Sequence, residues 1–307
     1  MMRGMKQAAN DMTNAPKNPF IVTISGDLGS GNSVLTSALV ERWGAERYST
    51  GLVQRKLAES LGITTLELNK RAETDKSIDD QIDSVFRSLA QTPTNLVVDS
   101  RMAFHFLPQS FRIKLEVHPQ VAAQRIKGDT SRVGEGVYTT PEEVEAAIVA
   151  RKSSERERFI RYYNTDIEDH VGYDLVINTT HVPTADVNAI ANKSIGHWLD
   201  KKQHGKVWVS PKYLYCQKDT DTLSKQVIEN NLGALMATGD ADVWPLNAVH
   251  AAKVGPRYIV THGAEWVAAA LQANVVLMPV FLSSQMAEEP DAKINEKWEK
   301  AFNYKHM

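Results

Sequence analysis

The decisive stretch is FIVTISGDLGSGNSVLTSALVERWG, residues 20–44. Residues 20–25 form a short β-branched run that ends in glycines. From Ser33 to Gly44 apolar residues recur at helical spacing, and a glycine closes the segment. Strand, glycine loop and helix together are the setting of a phosphate-binding loop, G-x-x-x-x-G-K-[ST]. Gly26 and Gly31 fill the glycine slots and Ser33 the hydroxyl slot, but Asn32 stands where the pattern has lysine. In such a loop the backbone N–H groups surround an anion at the positive end of a helix. Gly26, Asp27, Gly29, Ser30, Gly31, Asn32 and Ser33 are therefore the candidate phosphate-binding residues.

Further along, NLVVDS (95–100), FRIKLEV (111–117) and YDLVINT (173–179) read as buried strands alternating with helical stretches. That alternation implies a parallel sheet covered on both faces. Between the last two strands lies PEEVEAAIVARKSSERERFIRYYN (141–164), a charged helix that starts on a proline and two acids. Arg151 and Arg158 are seven residues apart and share a helical face, with Glu155 at i+4 from Arg151. Such a face is placed to reach over a phosphate cleft. Arg101 and Asp99 sit at the carboxyl end of a buried strand, where open α/β sheets bind ligands. His105 and His118 have no partners at metal-ligand spacing and read as structural.

The chain has 307 residues with 35 basic and 37 acidic side chains, so no global charge favours nucleic acid. Cys216 is its single cysteine, which excludes an internal disulfide or a cysteine zinc cluster and favours a reducing compartment. No signal peptide and no membrane-spanning apolar run is visible, and the expectation is a cytoplasmic protein with no membrane role. Residues 1–17 read as a flexible leader. The texture changes near residue 203, which divides a first domain, 18–203, from a second α/β unit, 204–307. In that unit 257–282 reads as strand, turn, helix and strand, and 283–307 as a charged tail with a peripheral helix.

The first two hundred residues resemble cytidylate kinases, particularly the compact archaeal-type CMP/dCMP kinases. The likeness is carried, in order, by the loop, YSTGLVQRKLAESLGITTLELNKRAETD, VVDSRMAFHF, LEVHPQVAAQRI, RKSSERERFIRYYNTDI and YDLVINTT. It implies a nucleoside monophosphate kinase-like parallel sheet and the transfer of a phosphoryl group from ATP with Mg²⁺. It also implies roles. Arg55, Arg101 and Arg132 would bind the acceptor, with Arg132 in the lid loop. Ser33 and Asp99 would hold the Mg²⁺ shell. Asp99, Arg101 and the lid arginines Arg151 and Arg158 would serve transfer. VWVSPKYL and YIVTHGAEWVAAALQANVVLMPV resemble the ParB/sulfiredoxin-type module, although that module's histidines and arginine are missing from the turn at 262–266.

Three functional readings follow. The chain is an ATP-dependent phosphotransferase on a pyrimidine nucleotide-like acceptor, a kinase of hydroxymethyl-pyrimidine bases within DNA, or a nucleotide-binding regulator without turnover. Asn32 keeps all three open. Losing a phosphate-binding lysine typically costs about 3 kcal/mol of transition-state stabilisation unless another cation replaces it. The substitution is readable as tolerated because lid arginines compensate, as a loss of turnover, or as an engineered trap, and the arginine and aspartate positions still in place favour catalysis. For the DNA reading, Lys212, Tyr213, Tyr215 and Lys218 interleave charge and aromatic surface as a strand contacting DNA would.

Overall fold

A computed structural model describes residues 19–64, 67, 68, 71, 75–127, 140–202, 204–238, 244, 245, 247–283 and 286–306. The glycine-terminated run forms β1 (Ile21–Gly26), and the helix α1 (Asn32–Trp43) follows the loop. Gly44 ends α1 in the left-handed conformation, its N–H bonded to the Val40 carbonyl. Next come β2 (Glu46–Ser49), α2 (Thr50–Ser60), α3 (Lys76–Leu89), β3 (Leu96–Asp99) and the short α4 (Ala103–Phe106). They lead to β4 (Phe111–Glu116), α5 (Pro119–Lys127), α6 (Pro141–Tyr163), β5 (Leu175–Asn178) and α7 (Thr184–Leu199). The expected start of α6 is a full capping box, in which Thr140 and Glu143 satisfy each other's backbone N–H.

Five parallel strands in the order β2-β3-β1-β4-β5 form the first half of the sheet. One face packs Val22, Ile24, Ile113, Leu115 and Ile177 against Leu35 and Leu39 of α1 and Ile190 and Ile195 of α7. The other face packs Ile21, Leu96 and Val98 against Val53 of α2 and Ile78, Ile82 and Phe86 of α3.

The segments after residue 203 extend this sheet. They comprise β6 (Val207–Val209), β7 (Leu214–Cys216), α8 (Lys225–Thr238), β8 (His250–Val254), β9 (Arg257–His262), α9 (Ala264–Gln272), β10 (Met278–Leu282) and α10 (Ala292–Phe302). β6 pairs in parallel with β5, and the ten-stranded order continues β6-β10-β8-β9-β7. β8 and β9 come back over the face of β4, and the alanines of α9, all buried, share a core with Tyr173 and Val176. One expectation is corrected here. Tyr213 and Tyr215 are core residues, the first donating to the Pro256 carbonyl and the second stacked on His306, so neither offers a ring to DNA. The tail helix lies at the surface as expected, and it is anchored there: Trp298 of α10 is buried and its indole N–H donates to the Lys218 carbonyl at 2.9 Å. Among the described residues no helix is long and apolar enough to cross a membrane.

Strand alternation sends Phe111, Ile113 and Leu115 of β4 to the apolar face and Lys114 and Glu116 to the other. Glu116 is fully enclosed. Its carboxylate accepts from Lys253 of β8, from Tyr258 of β9 and from His170 at 2.6 Å, with Lys114 at 3.8 Å. Burial opposes its charge, but Lys253, His170 and Lys114 prevail and hold its pKa well below the ordinary carboxylate value. Removing one partner of a buried ion pair leaves the other charge uncompensated. Lys253→Met should therefore destabilise the fold by about 3 kcal/mol, read as a lower urea midpoint, and adding Glu116→Gln should recover part of it. A native midpoint for Lys253→Met would show that the carboxylate does not depend on that ammonium.

Candidate active site

The loop between β1 and α1 is stitched to the end of β4. Asp27 N–H donates to the Leu115 carbonyl at 3.0 Å, and the Asp27 carboxylate accepts from Val117 N–H at 3.2 Å. Gly31 is the N-cap of α1 with φ 101°, a left-handed conformation suited to glycine, and no side chain caps the helix. The first N–H groups of α1 are thus left for an incoming anion. Asn32 folds back over the loop, where its Oδ1 accepts from the Ser30 hydroxyl at 3.1 Å. A Cβ on Gly26 would lie 2.2 Å from that Oδ1 and 2.8 Å from the Leu115 carbonyl, so position 26 admits only glycine. Ser33 is exposed in the first turn, where its hydroxyl suits a Mg²⁺ shell. The open helix end and this hydroxyl fit ATP phosphates with Mg²⁺; the missing element is a charge at position 32.

Beside the loop lies a cavity of about 360 Å³ lined by Gly29, Ser30, Arg125, Thr179, Val182 and Asn188, among others. Arg125 of α5 forms one wall, donating to the Gly29 carbonyl at 3.2 Å, to Thr179 Oγ1 at 3.1 Å and to the Thr179 carbonyl at 2.8 Å. Asn188 also lines this wall, and its Oδ1 is buried without a hydrogen-bond partner.

The charged helix α6 meets the site from the other side. Glu155 gathers two of the expected arginines, pairing with Arg101 and with Arg151 Nε at 3.0 Å. Asp99 stands at the end of β3, two residues before Arg101 and in register with Ile24 and Ser49. Lys152 reaches the loop itself: its ammonium lies 2.8 Å from Asp27 Oδ1 and 2.8 Å from Glu168 Oε2. Burial works against that charge, but Asp27 and Glu168 outweigh it and raise the Lys152 pKa. The structure gives the other expected residues these contacts. Arg158 turns its guanidinium over the Phe159 ring, 5.2 Å from the centroid, and Arg55 lies on α2 against Gly51 of the same helix. Arg132 falls outside the described residues. His105 bonds Thr165 Oγ1 through Nδ1 at 2.9 Å, and His118 Nδ1 accepts from Gln120 N–H at 3.3 Å; both roles are local. The described residues contain no cluster of three or more His, Cys, Asp or Glu side chains suited to a metal.

With this geometry, the match to known proteins is specific. The model of the cytidylate kinase-like family matches residues 21–181, from β1 to just beyond β5. The chain belongs to that family. It is a kinase by class, and its first sheet with helices on both faces is the P-loop kinase arrangement. A cytidylate kinase of Natronomonas pharaonis is 35% identical over 189 residues, covering 61% of this chain and 95% of the relative. The cytidylate kinase of Sulfurisphaera tokodaii is 30% identical over 188 residues, covering 60% of this chain and 100% of the relative. The shikimate kinase of Bacteroides thetaiotaomicron superposes with a TM-score of 0.45 at 13% identity over 59% of this chain and 98% of that one, too loosely to bear on function.

Arg125, Lys152 and Asn188 were not singled out in the sequence. Lys152 was legible only as one more charge beside Arg151, and a link from α6 to Asp27 is invisible without coordinates. Asp83 of α3 was missed as well. It is buried and accepts from the Tyr163 hydroxyl of α6 at 3.0 Å, so it ties these two helices together. Burial raises its pKa to about 6, against the lowering effect of that hydrogen bond. Because the folded value exceeds the unfolded one, Asp83 favours the fold at pH below 4 and costs stability once pH rises through about 6. Asp83→Asn should accordingly be more stable than the native chain by about 1–2 kcal/mol at pH 8, with the gap closing near pH 4. Urea unfolding at the two pH values reads this, and a gap independent of pH would contradict it.

Proposed function

We propose that the chain moves the γ-phosphoryl group of ATP onto a pyrimidine nucleotide-like acceptor. One observation carries the reading: the uncapped N-terminus of α1 borders a cavity sized for part of a nucleotide, and α6 reaches the same loop through Lys152 and Asp27. Gly31, Asn32 and Ser33 would hold the donor phosphates by backbone N–H groups, and Ser33 and Asp99 would carry the Mg²⁺ shell. Mg²⁺ supplies charge neutralisation between donor oxygens when bound. The cavity wall of Arg125, Thr179 and Asn188 would take the donor base. Arg101 would grip the acceptor phosphate with Arg55 and Arg132, and Arg151 and Arg158 would close over the transfer. Phosphoryl transfer asks mainly for positioning and charge stabilisation, which such a set of groups supplies.

The acceptor class follows from the relatives' name, cytidylate kinase, and from the matched segment. The family match ends at residue 181, and over a hundred residues follow it. That extension favours an acceptor larger than a free nucleotide as the second reading, such as a hydroxymethyl pyrimidine in DNA, flipped out to reach the site. In this view 18–203 carries the transfer and 204–307, with its likeness to the ParB-type module, braces it or holds the acceptor. A cytoplasmic setting accords with either reading.

The decisive assay is transfer of labelled γ-phosphate to CMP, dCMP, UMP, dUMP, TMP and duplex DNA with plain or hydroxymethylated pyrimidines. Label on a free pyrimidine nucleotide is expected. Label on the modified duplex alone, with binding that weakens steeply with salt, selects the second reading. ATP binding without label on any acceptor refutes both and leaves a nucleotide-binding regulator. Arg101→Met should cut transfer about 100-fold or more, chiefly by raising the acceptor KM.

A further inference from the structure

The loop holds its phosphate-facing N–H groups in place but has no charge of its own. Asn32 cannot supply one, and its carbonyl oxygen is engaged by Ser30. The charge has to come from another element. Most of the nearby cations are committed elsewhere: Arg101 and Arg151 to Glu155, Arg156 to Asp166 at 2.6 Å, and Arg125 to the carbonyls of Gly29 and Thr179. Lys114 is sealed in the core at 2% exposure.

Lys152, also on α6 and one-third exposed, differs from all of these in sitting on the side chain of a loop residue, Asp27. The second oxygen of Asp27 is anchored by Val117 N–H, so the carboxylate holds the ammonium at the foot of the loop. Glu168 fixes it from the opposite side and is itself tied to Lys114 at 2.9 Å. An ammonium has three donors on a flexible stem, so it can keep Asp27 and still turn donors toward phosphate oxygens.

We propose that Lys152 replaces, from α6, the charge that the phosphate loop lacks at position 32. This assignment rests on the kinase reading above. In the transfer the acceptor oxygen forms a bond to the γ-phosphorus while the β–γ bridging bond breaks, its electron pair leaving with ADP. Lys152 moves no proton; it balances the charge gathering on the donor oxygens. Because the group belongs to α6 and not to the loop, the position of that helix sets how the charge meets the donor.

The test uses the full chain, ATP with Mg²⁺ and whichever acceptor is labelled in the panel, and compares the native chain, Lys152→Met and Lys152→Met with Asn32→Lys. Lys152→Met should lower kcat about 100-fold. Restoring a lysine in the loop should recover at least about tenfold of that, although it cannot repair the lost pairs with Asp27 and Glu168. The thermal midpoint therefore separates the roles: rate returning while the midpoint stays low is the expected result. A Lys152→Met chain within threefold of the native rate overturns the assignment. A rate loss that Asn32→Lys leaves unrepaired, with a lowered midpoint, assigns Lys152 a structural role and overturns it as well. A native chain that labels no acceptor overturns the kinase reading and this assignment together, whereas native transfer with an unaffected variant overturns the assignment alone.

Discussion

A carboxylate in the middle of the protein organises what surrounds it. Glu116 lies at the end of β4, enclosed between the first sheet and the strands that return over it. A buried charge persists only where the structure brings counter-charge and hydrogen-bond donors to it. Lys253 and Tyr258 come from β8 and β9, His170 from the loop before β5, and Lys114 from β4 itself. The pairing goes on through Lys114 and Glu168 to Lys152 and ends on Asp27 in the phosphate loop. One line of alternating charges therefore joins the C-terminal strands to the loop. An apolar interface of the same area would hold the two parts together but would not fix their register so narrowly.

The amino-acid sequence made the first half legible because each element there carries a local signal. β1 and α1 were framed by glycines, β3 to β5 by runs of Val, Ile and Leu, and α6 by its proline and acids. The strand after α1, ERYS at 46–49, went unread because its polar residues reflect an edge position and not burial. VWVSPKYLYC reads as one run, but Pro211 and Tyr213 make a turn that splits it into β6 and β7. Tyr213 and Tyr215 looked like surface residues because their cover comes from distant segments. Single-sequence reading carries no information on such contacts.

The site divides in the same way. Loop residues 26–33 were legible because the backbone does the binding and glycines announce it. Arg101 and Arg151 were legible by position, and the structure joins them through Glu155. Lys152 and Arg125 were not, since a lysine beside an arginine on a charged helix looks like solvated surface, and only a three-dimensional neighbour changes that reading. Asn32, a departure from the pattern, was the clearest signal that charge must come from outside the loop.

The place of β10 bears on how the chain is made. Residues 278–282 emerge last among the strands, yet they lie in the interior of the sheet, antiparallel to β6 on one side and parallel to β8 on the other. Until they leave the ribosome, β6 offers an open edge and β8 and β9 have no continuous attachment to the strands before them. The first two hundred residues can collapse early around β1, β3 and β4, whereas the rest waits for a segment made later than every other described strand. Pairing across such separations is slow, because the entropy of closing the loop is lost before any contact forms. During that interval the nascent chain exposes an unpaired sheet edge, the surface a holding chaperone would recognise.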